Sequence, residues 1–136
     1  MQLNPYLFFN GDCEAALSFY QQSLGATVSF KFTYGESPMA KETPPELHNR
    51  ILHARLSIGG NTLMVCDSPP ERYDQPAGFF VSLGIETPAE ADRIFVALSE
   101  GARILMPIQE TFWAQRFGML VDRFGTPWMI NCEKPA

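Results

Sequence analysis

Few of the residues that most often build catalytic centres are present. Histidine occurs twice, as His48 and His53, so a site of two imidazoles and one carboxylate would have to use both. Three cysteines, Cys13, Cys66 and Cys132, are odd in number and widely spaced, which excludes a Cys-x-x-Cys motif. Reduced, mostly buried thiols are the expectation. Basic residues are scarce, ten Lys and Arg against fifteen Asp and Glu, for a net charge of -5. An acidic surface gains nothing from nucleic acid or an anionic membrane, so neither partner is expected. No run approaches the ~20 apolar residues that cross a bilayer. The opening Met-Gln-Leu-Asn-Pro lacks the charged and apolar regions of a signal peptide, and a cytoplasmic location follows as the expectation. Nor is there a glycine-rich nucleotide or methyl-donor fingerprint.

What is present is aromatic and periodic. The 136 residues suffice for one domain, or two small modules, burying roughly two thirds of the extended surface. Leu3–Phe9 reads as a strand ending at Asn10-Gly11. Asp12 stands at an N-cap position, Cys13, Ala16, Leu17, Tyr20 and Leu24 recur at helical spacing, and Gly25 supplies the C′ residue. Thr27–Thr33 alternates as a half-buried strand. Tyr34–Asn49, with Gly35, Pro38, Pro44 and Pro45, predicts a mobile loop without regular elements. Arg50–Ile58 and Asn61–Asp67 form a hairpin about Gly59-Gly60. That turn sets His53 opposite Cys66, Arg55 opposite Met64 and Ser57 opposite Thr62, while Leu52, Ala54, Leu56, Ile58, Leu63 and Val65 share the other face.

Residues 68–77, with Pro69, Pro70 and Pro76, read as a linker between a first module, 1–67, and a second, 78–136. In the second, Gly78–Ile85 is a strand and Thr87-Pro88-Ala89-Glu90 is a capping box opening a helix that runs to Gly101. Ala102–Met106 is a strand, and Phe117–Val121 and Thr126–Asn131 form a hairpin about Asp122-Arg123-Phe124-Gly125. Comparing the chain with itself at an offset of about 76 positions sets Glu90 on Glu14, Phe95 on Phe19 and Gly101-Ala102 on Gly25-Ala26. Each half then runs strand, helix, Gly-Ala, strand, break, hairpin, a βαβββ unit occurring twice.

Two such units, the opening Pro-Tyr-Leu-Phe-Phe-Asn-Gly-Asp-Cys-Glu-Ala-Ala-Leu-Ser-Phe-Tyr, and Thr111-Phe112-Trp113 ahead of Arg116-Phe117-Gly118 and Asp122-Arg123-Phe124-Gly125-Thr126-Pro127-Trp128, resemble the PhnB-like branch of the vicinal oxygen chelate superfamily. That superfamily also holds glyoxalase I, bleomycin-resistance proteins and extradiol dioxygenases. The resemblance implies an α+β fold in which tandem βαβββ modules form a cupped, barrel-like sheet, one vicinal oxygen chelate-type domain overall, with a small-molecule ligand in the cup and a homodimer built by pairing modules. Metal-dependent members place His, Gln or Glu at one inward position on each of four strands. The matching regions here offer Pro5 or Tyr6, Met64 or Cys66, Phe79 to Val81, and Met129, none of them the expected ligand. No metal or other cofactor is therefore implied. An improvised divalent site would have to recruit His48 from the loop or Glu133 beyond the last strand.

The candidate ligand-binding residues are Tyr6, Phe8, His53, Arg55, Met64, Cys66, Trp113, Phe117, Trp128 and Met129. His53 and Cys66 are the catalytic candidates, as an activated thiolate pair or as plain pocket lining. Arg55 can anchor an anion or pair with a neighbouring carboxylate. Trp113 and Trp128 can be core, cup wall or subunit contact. Asp122 is a turn cap. The expectation is a glyoxalase/bleomycin-resistance-like protein holding a small apolar or anionic molecule without a standard metal site, with a metal-dependent lyase, isomerase or dioxygenase as the alternative.

Overall fold

Buried aliphatic and aromatic side chains on one face of each strand decide where the helices go. In the first half, β1 (Tyr6–Phe9), α1 (Cys13–Leu24), β2 (Thr27–Thr33), β3 (Ile51–Ile58) and β4 (Asn61–Asp67) make a four-stranded sheet in the order β1-β4-β3-β2, with β1 parallel to β4. Leu7, Ala54, Leu56, Leu63 and Val65 are nearly or wholly buried, as are Ala16, Leu17 and Tyr20 of α1. The predicted apolar face of the hairpin therefore carries the core. In the second half, β5 (Val81–Gly84), α2 (Pro88–Leu98), β6 (Arg103–Gln109), β7 (Ala114–Val121) and β8 (Pro127–Glu133) repeat the arrangement in the order β5-β8-β7-β6, with β5 parallel to β8. This computed structural model describes all 136 residues, which divide into two units, Met1–Asp74 and Gln75–Ala136.

Local chemistry accounts for the element ends. Gly59 and Gly60 take φ of 52° and 82°, as a two-residue turn with both central residues in the left-handed region requires. Arg55 faces Met64, and Ser57 faces Thr62, in the expected register. Thr87 accepts from the Glu90 amide at 3.2 Å and Pro88 begins α2. At α1 the mechanism differs from the expected one. Asp12 makes no capping bond with its side chain. The buried carboxylate of Asp67, at the end of β4, instead accepts from the Gly11 and Cys13 amides through Oδ1, at 2.8 and 3.0 Å, and from Ile51 through Oδ2 at 2.9 Å. One side chain thus ties β4, the start of α1 and the start of β3 together.

Two of the departures from the sequence expectation involve proline. Segment 34–50 holds two short 3-10 turns, Pro38–Glu42 and Pro45–Leu47, where proline sits at an N-terminal position that needs no amide donor. His48 Nε2 lies 3.0 Å from the Ala40 carbonyl and 2.8 Å from that of Thr43, while Tyr34 donates its hydroxyl to the Asp67 carbonyl at 2.8 Å. Strand β6 runs on through Pro107 to Gln109 instead of stopping at Met106. It is an edge strand, and a register shift lies between Met106 and Gln109, so the missing proline amide interrupts no essential ladder bond.

Candidate functional site

The face of the first sheet opposite α1 is lined with rings. Strand register puts Tyr6 beside Met64 and Phe8 beside Cys66 on β1 and β4, and Phe30 beside Arg55 and Phe32 beside His53 on β2 and β3. His53 is the hub. Its ring centroid lies 5.7 Å from that of Tyr6, 6.1 Å from Phe30 and 6.2 Å from Phe32, and Phe30 meets Phe32 edge-on at 5.3 Å. Tyr6 also tilts against Phe8 at 5.2 Å. Tyr6, Phe8 and Phe30 keep 39%, 49% and 53% of their surface exposed, a clustering of half-open aromatic rings that a core has no use for. The alternation of Thr27–Thr33 sets Phe30 and Phe32 on one face of β2 without marking them as ligand contacts. Their alternation with Lys31 in β2 was the signal, because Lys31 points to the α1 side and pairs with Glu14 at 2.6 Å.

Within this face one polar contact stands out. The Tyr6 hydroxyl lies 2.9 Å from His53 Nδ1, a hydrogen bond in which the imidazole tautomer decides which ring donates. Burial, with the Cys66 thiol close by, pushes the Tyr6 phenol well above its usual range. Burial likewise raises the Cys66 thiol, against a lowering contribution from Tyr6. Cys66 is therefore a protonated thiol at neutral pH, which does not fit the activated thiolate considered from sequence. Arg55 is exposed and enters none of the five ion pairs, leaving its guanidinium available to a ligand.

The second sheet has an open face of its own. Phe117 registers with Asn131, and Met119 with Met129. Trp113, 43% exposed, packs edge-on against Phe117 at 5.2 Å and against Phe112 at 4.8 Å. The Asn131 Oδ1 is buried there without a donor. Trp128 is a correction. It is wholly buried, registers with Leu120 and Val81 one position out of phase with Met129, and donates its indole N–H to Asp122 Oδ2 at 2.8 Å. A ring held by the core on all sides cannot line an open face. Asp122 has the structural role expected, its Oδ1 accepting from the Phe124 and Thr126 amides at 2.9 and 3.0 Å.

The residues at the inward strand positions do not suit a divalent cation. Tyr6 pairs with Met64 in the first sheet and Ser82, rather than Phe79 to Val81, pairs with Met129 in the second. A phenol, two thioethers and a hydroxyl are poor donors for Zn²⁺, Mn²⁺ or Fe²⁺, which favour imidazole and carboxylate. No group of three or more His, Cys, Asp or Glu side chains gathers to hold a metal ion. His48 spends its Nε2 on loop carbonyls, and Glu133 is exposed at the end of β8.

The family model of the Glyoxalase/Bleomycin resistance protein/Dioxygenase superfamily matches residues 2–130. The chain belongs to this superfamily. Among glyoxalase-superfamily relatives, protein YjdN of Escherichia coli K12 is 37% identical over 142 residues, covering 98% of this chain and 97% of that protein. The crystal structure of PA1353 from Pseudomonas aeruginosa is 44% identical with a TM-score of 0.89, covering 99% of each chain. A PhnB protein from Bacillus cereus, 24% identical over 97% of this chain and 99% of that one, shares the fold at a TM-score of 0.82. The tandem βαβββ order and the two mixed sheets are those of the glyoxalase/bleomycin-resistance fold. No helix is long and apolar enough to cross a membrane.

Proposed function

We propose that this glyoxalase-superfamily chain binds a small, flat, apolar or aromatic anion on the aromatic face of its first sheet, without a standard metal site. The observation that carries the reading is the set of Tyr6, Phe30 and Phe32 rings about His53, with Phe8 against Tyr6, partly exposed and bordered by the unpaired Arg55. Rings supply apolar area at low conformational cost and the guanidinium fork fixes a carboxylate or similar group. Met64 and Cys66 complete the floor. Trp113, Phe117 and Met129 are proposed as ligand-binding residues of the second module. The three thiols are all buried and unpaired, which supports a reducing, cytoplasmic setting. Exposed Ile104, Leu105 and Phe112 support assembly as a homodimer.

The test is a thermal-shift and calorimetric screen of planar aromatic acids against the full chain, with sedimentation run in parallel. A hit is expected to weaken about tenfold in Arg55→Ala and in His53→Ala, with unfolding of the free protein unchanged. Affinity indifferent to both substitutions, or stoichiometric tightly held zinc, manganese or iron in the purified protein, would overturn the reading. The Tyr6–His53 contact favours one second reading, an enzyme that moves a proton between phenol and imidazole. Turnover that survives both Tyr6→Phe and His53→Ala would exclude it.

A further inference from the structure

Segment 34–50 and residues 68–72 line an open cavity of about 350 Å³ that shares no lining residue with the aromatic face. Pro44, Leu47 and Pro69 give it apolar walls, Arg50 and Arg72 border it, and Glu42 and Glu71 belong to its exposed rim. The size falls in the range of small-molecule sites. Arg50 is the unusual member. Its guanidinium lies on the backbone of Gly11, so close that a Cβ there would come within 2.8 Å of Nη2. Its Nη1 is buried with no acceptor in the chain, and it enters none of the ion pairs. A buried cationic donor left without a partner is costly, and a carboxylate bound to the guanidinium would offset part of that cost.

We propose that this cavity is a second binding site, distinct from the aromatic face, for small monocarboxylates carrying a short apolar tail. The carboxylate meets Arg50, since a planar fork matches two carboxylate oxygens. The tail lies along Leu47 and the prolines. Glu42 and Glu71 at the rim set the charge limit, because a dianion such as a phosphate monoester would meet like charge on entry. Arg72 offsets part of that repulsion and contributes less than Arg50, being exposed to water.

The experiment is an amide-resolved NMR titration of the full chain with hexanoate, using hexanol and hexyl phosphate as comparisons. Saturable shifts are expected at Tyr34, Leu47, Arg50, Ser68 and Arg72, with none from hexanol and weaker ones from hexyl phosphate. Arg50→Gln is expected to weaken hexanoate about tenfold or more, and Arg72→Gln only a few-fold. Because Arg50 also packs on Gly11, Leu47→Glu serves as a second variant, placing a like charge in the cavity and abolishing the shifts. The proposal is overturned if hexanoate gives no saturable shifts, or shifts only at His53, Arg55 and Cys66 on the aromatic face. It is equally overturned if hexyl phosphate binds as tightly, or if hexanoate binding is unaltered in folded Arg50→Gln or in Leu47→Glu.

Discussion

Asp67 and Asp12 differ by position alone, and the difference decides which one matters. Asp12 precedes α1 yet its carboxylate caps nothing, whereas Asp67 is 1% exposed and holds three backbone amides. Charge-assisted bonds to a buried carboxylate are among the stronger single contributions to stability. Asp67→Asn keeps the shape but removes the charge and one acceptor oxygen, and is expected to cost at least about 2 kcal/mol in urea unfolding. Asp12→Ala is expected to change stability by less than about 0.5 kcal/mol in the same assay. The candidate-site residues show the same dependence on neighbours. His53 and Cys66 were picked out as chemically capable, and the hairpin register alone set Arg55 beside Met64. That Tyr6 bonds to His53, and that burial holds Cys66 protonated, needed the parallel pairing of β1 with β4, a contact between residues more than fifty positions apart that no local pattern encodes.

Elements whose two faces differ strongly were legible from sequence, whereas segment 34–50 and the end of β6 at Pro107 were not. The β3–β4 hairpin announced itself by its two glycines and alternating apolar residues. Helix α2 did so by its capping box. The expected stop at Met106 failed because Pro107 breaks a central strand but is tolerated on an edge, and edge position is a property of the assembled sheet. Segment 34–50 failed for a related reason, since His48 closes it on the Ala40 and Thr43 carbonyls and Tyr34 ties it to Asp67 at the end of β4, a contact set by the assembled sheet. Packing of α2 on its sheet gives a test at this scale. A Cβ on Gly118 of β7 would come within 2.6 Å of the Phe95 ring and 3.2 Å of the Ile108 backbone, whereas one on Gly84 of β5 meets nothing within 4 Å. Gly118→Ala is expected to destabilise by about 1–3 kcal/mol through overpacking. Gly84→Ala is expected to be neutral or slightly stabilising, within about 0.5 kcal/mol in thermal or urea unfolding.

For the whole molecule, the buried acids set how stability responds to alkali. Burial raises Cys13 and Cys66 among the thiols, and Tyr6 and Tyr34 among the phenols. Each keeps its proton in the folded chain at a pH where the unfolded chain would release it. Below the ordinary thiol value of 9.0 both states are protonated and these groups contribute no slope. Above it the unfolded chain binds fewer protons, so unfolding becomes progressively easier as pH rises. Melting temperature is therefore expected to hold between pH 7 and about 8.5 and to fall steadily beyond, with a shallower fall in Cys13→Ala. A melting temperature that holds or rises above pH 9 would contradict the burial of these groups.

By itself the sequence determined the repeated strand and helix order, the greasy side of the β3–β4 hairpin and the shortage of chelating side chains. Those features reside in periods of two and 3.6 residues, in glycines at turns and in composition, all of which are local. Only the tertiary structure decided that Trp128 is core, that Asp67 replaces Asp12 at the head of α1, and that three rings surround His53. Each of these turns on pairing between strands distant along the chain, where a shift of one residue exchanges core for open face.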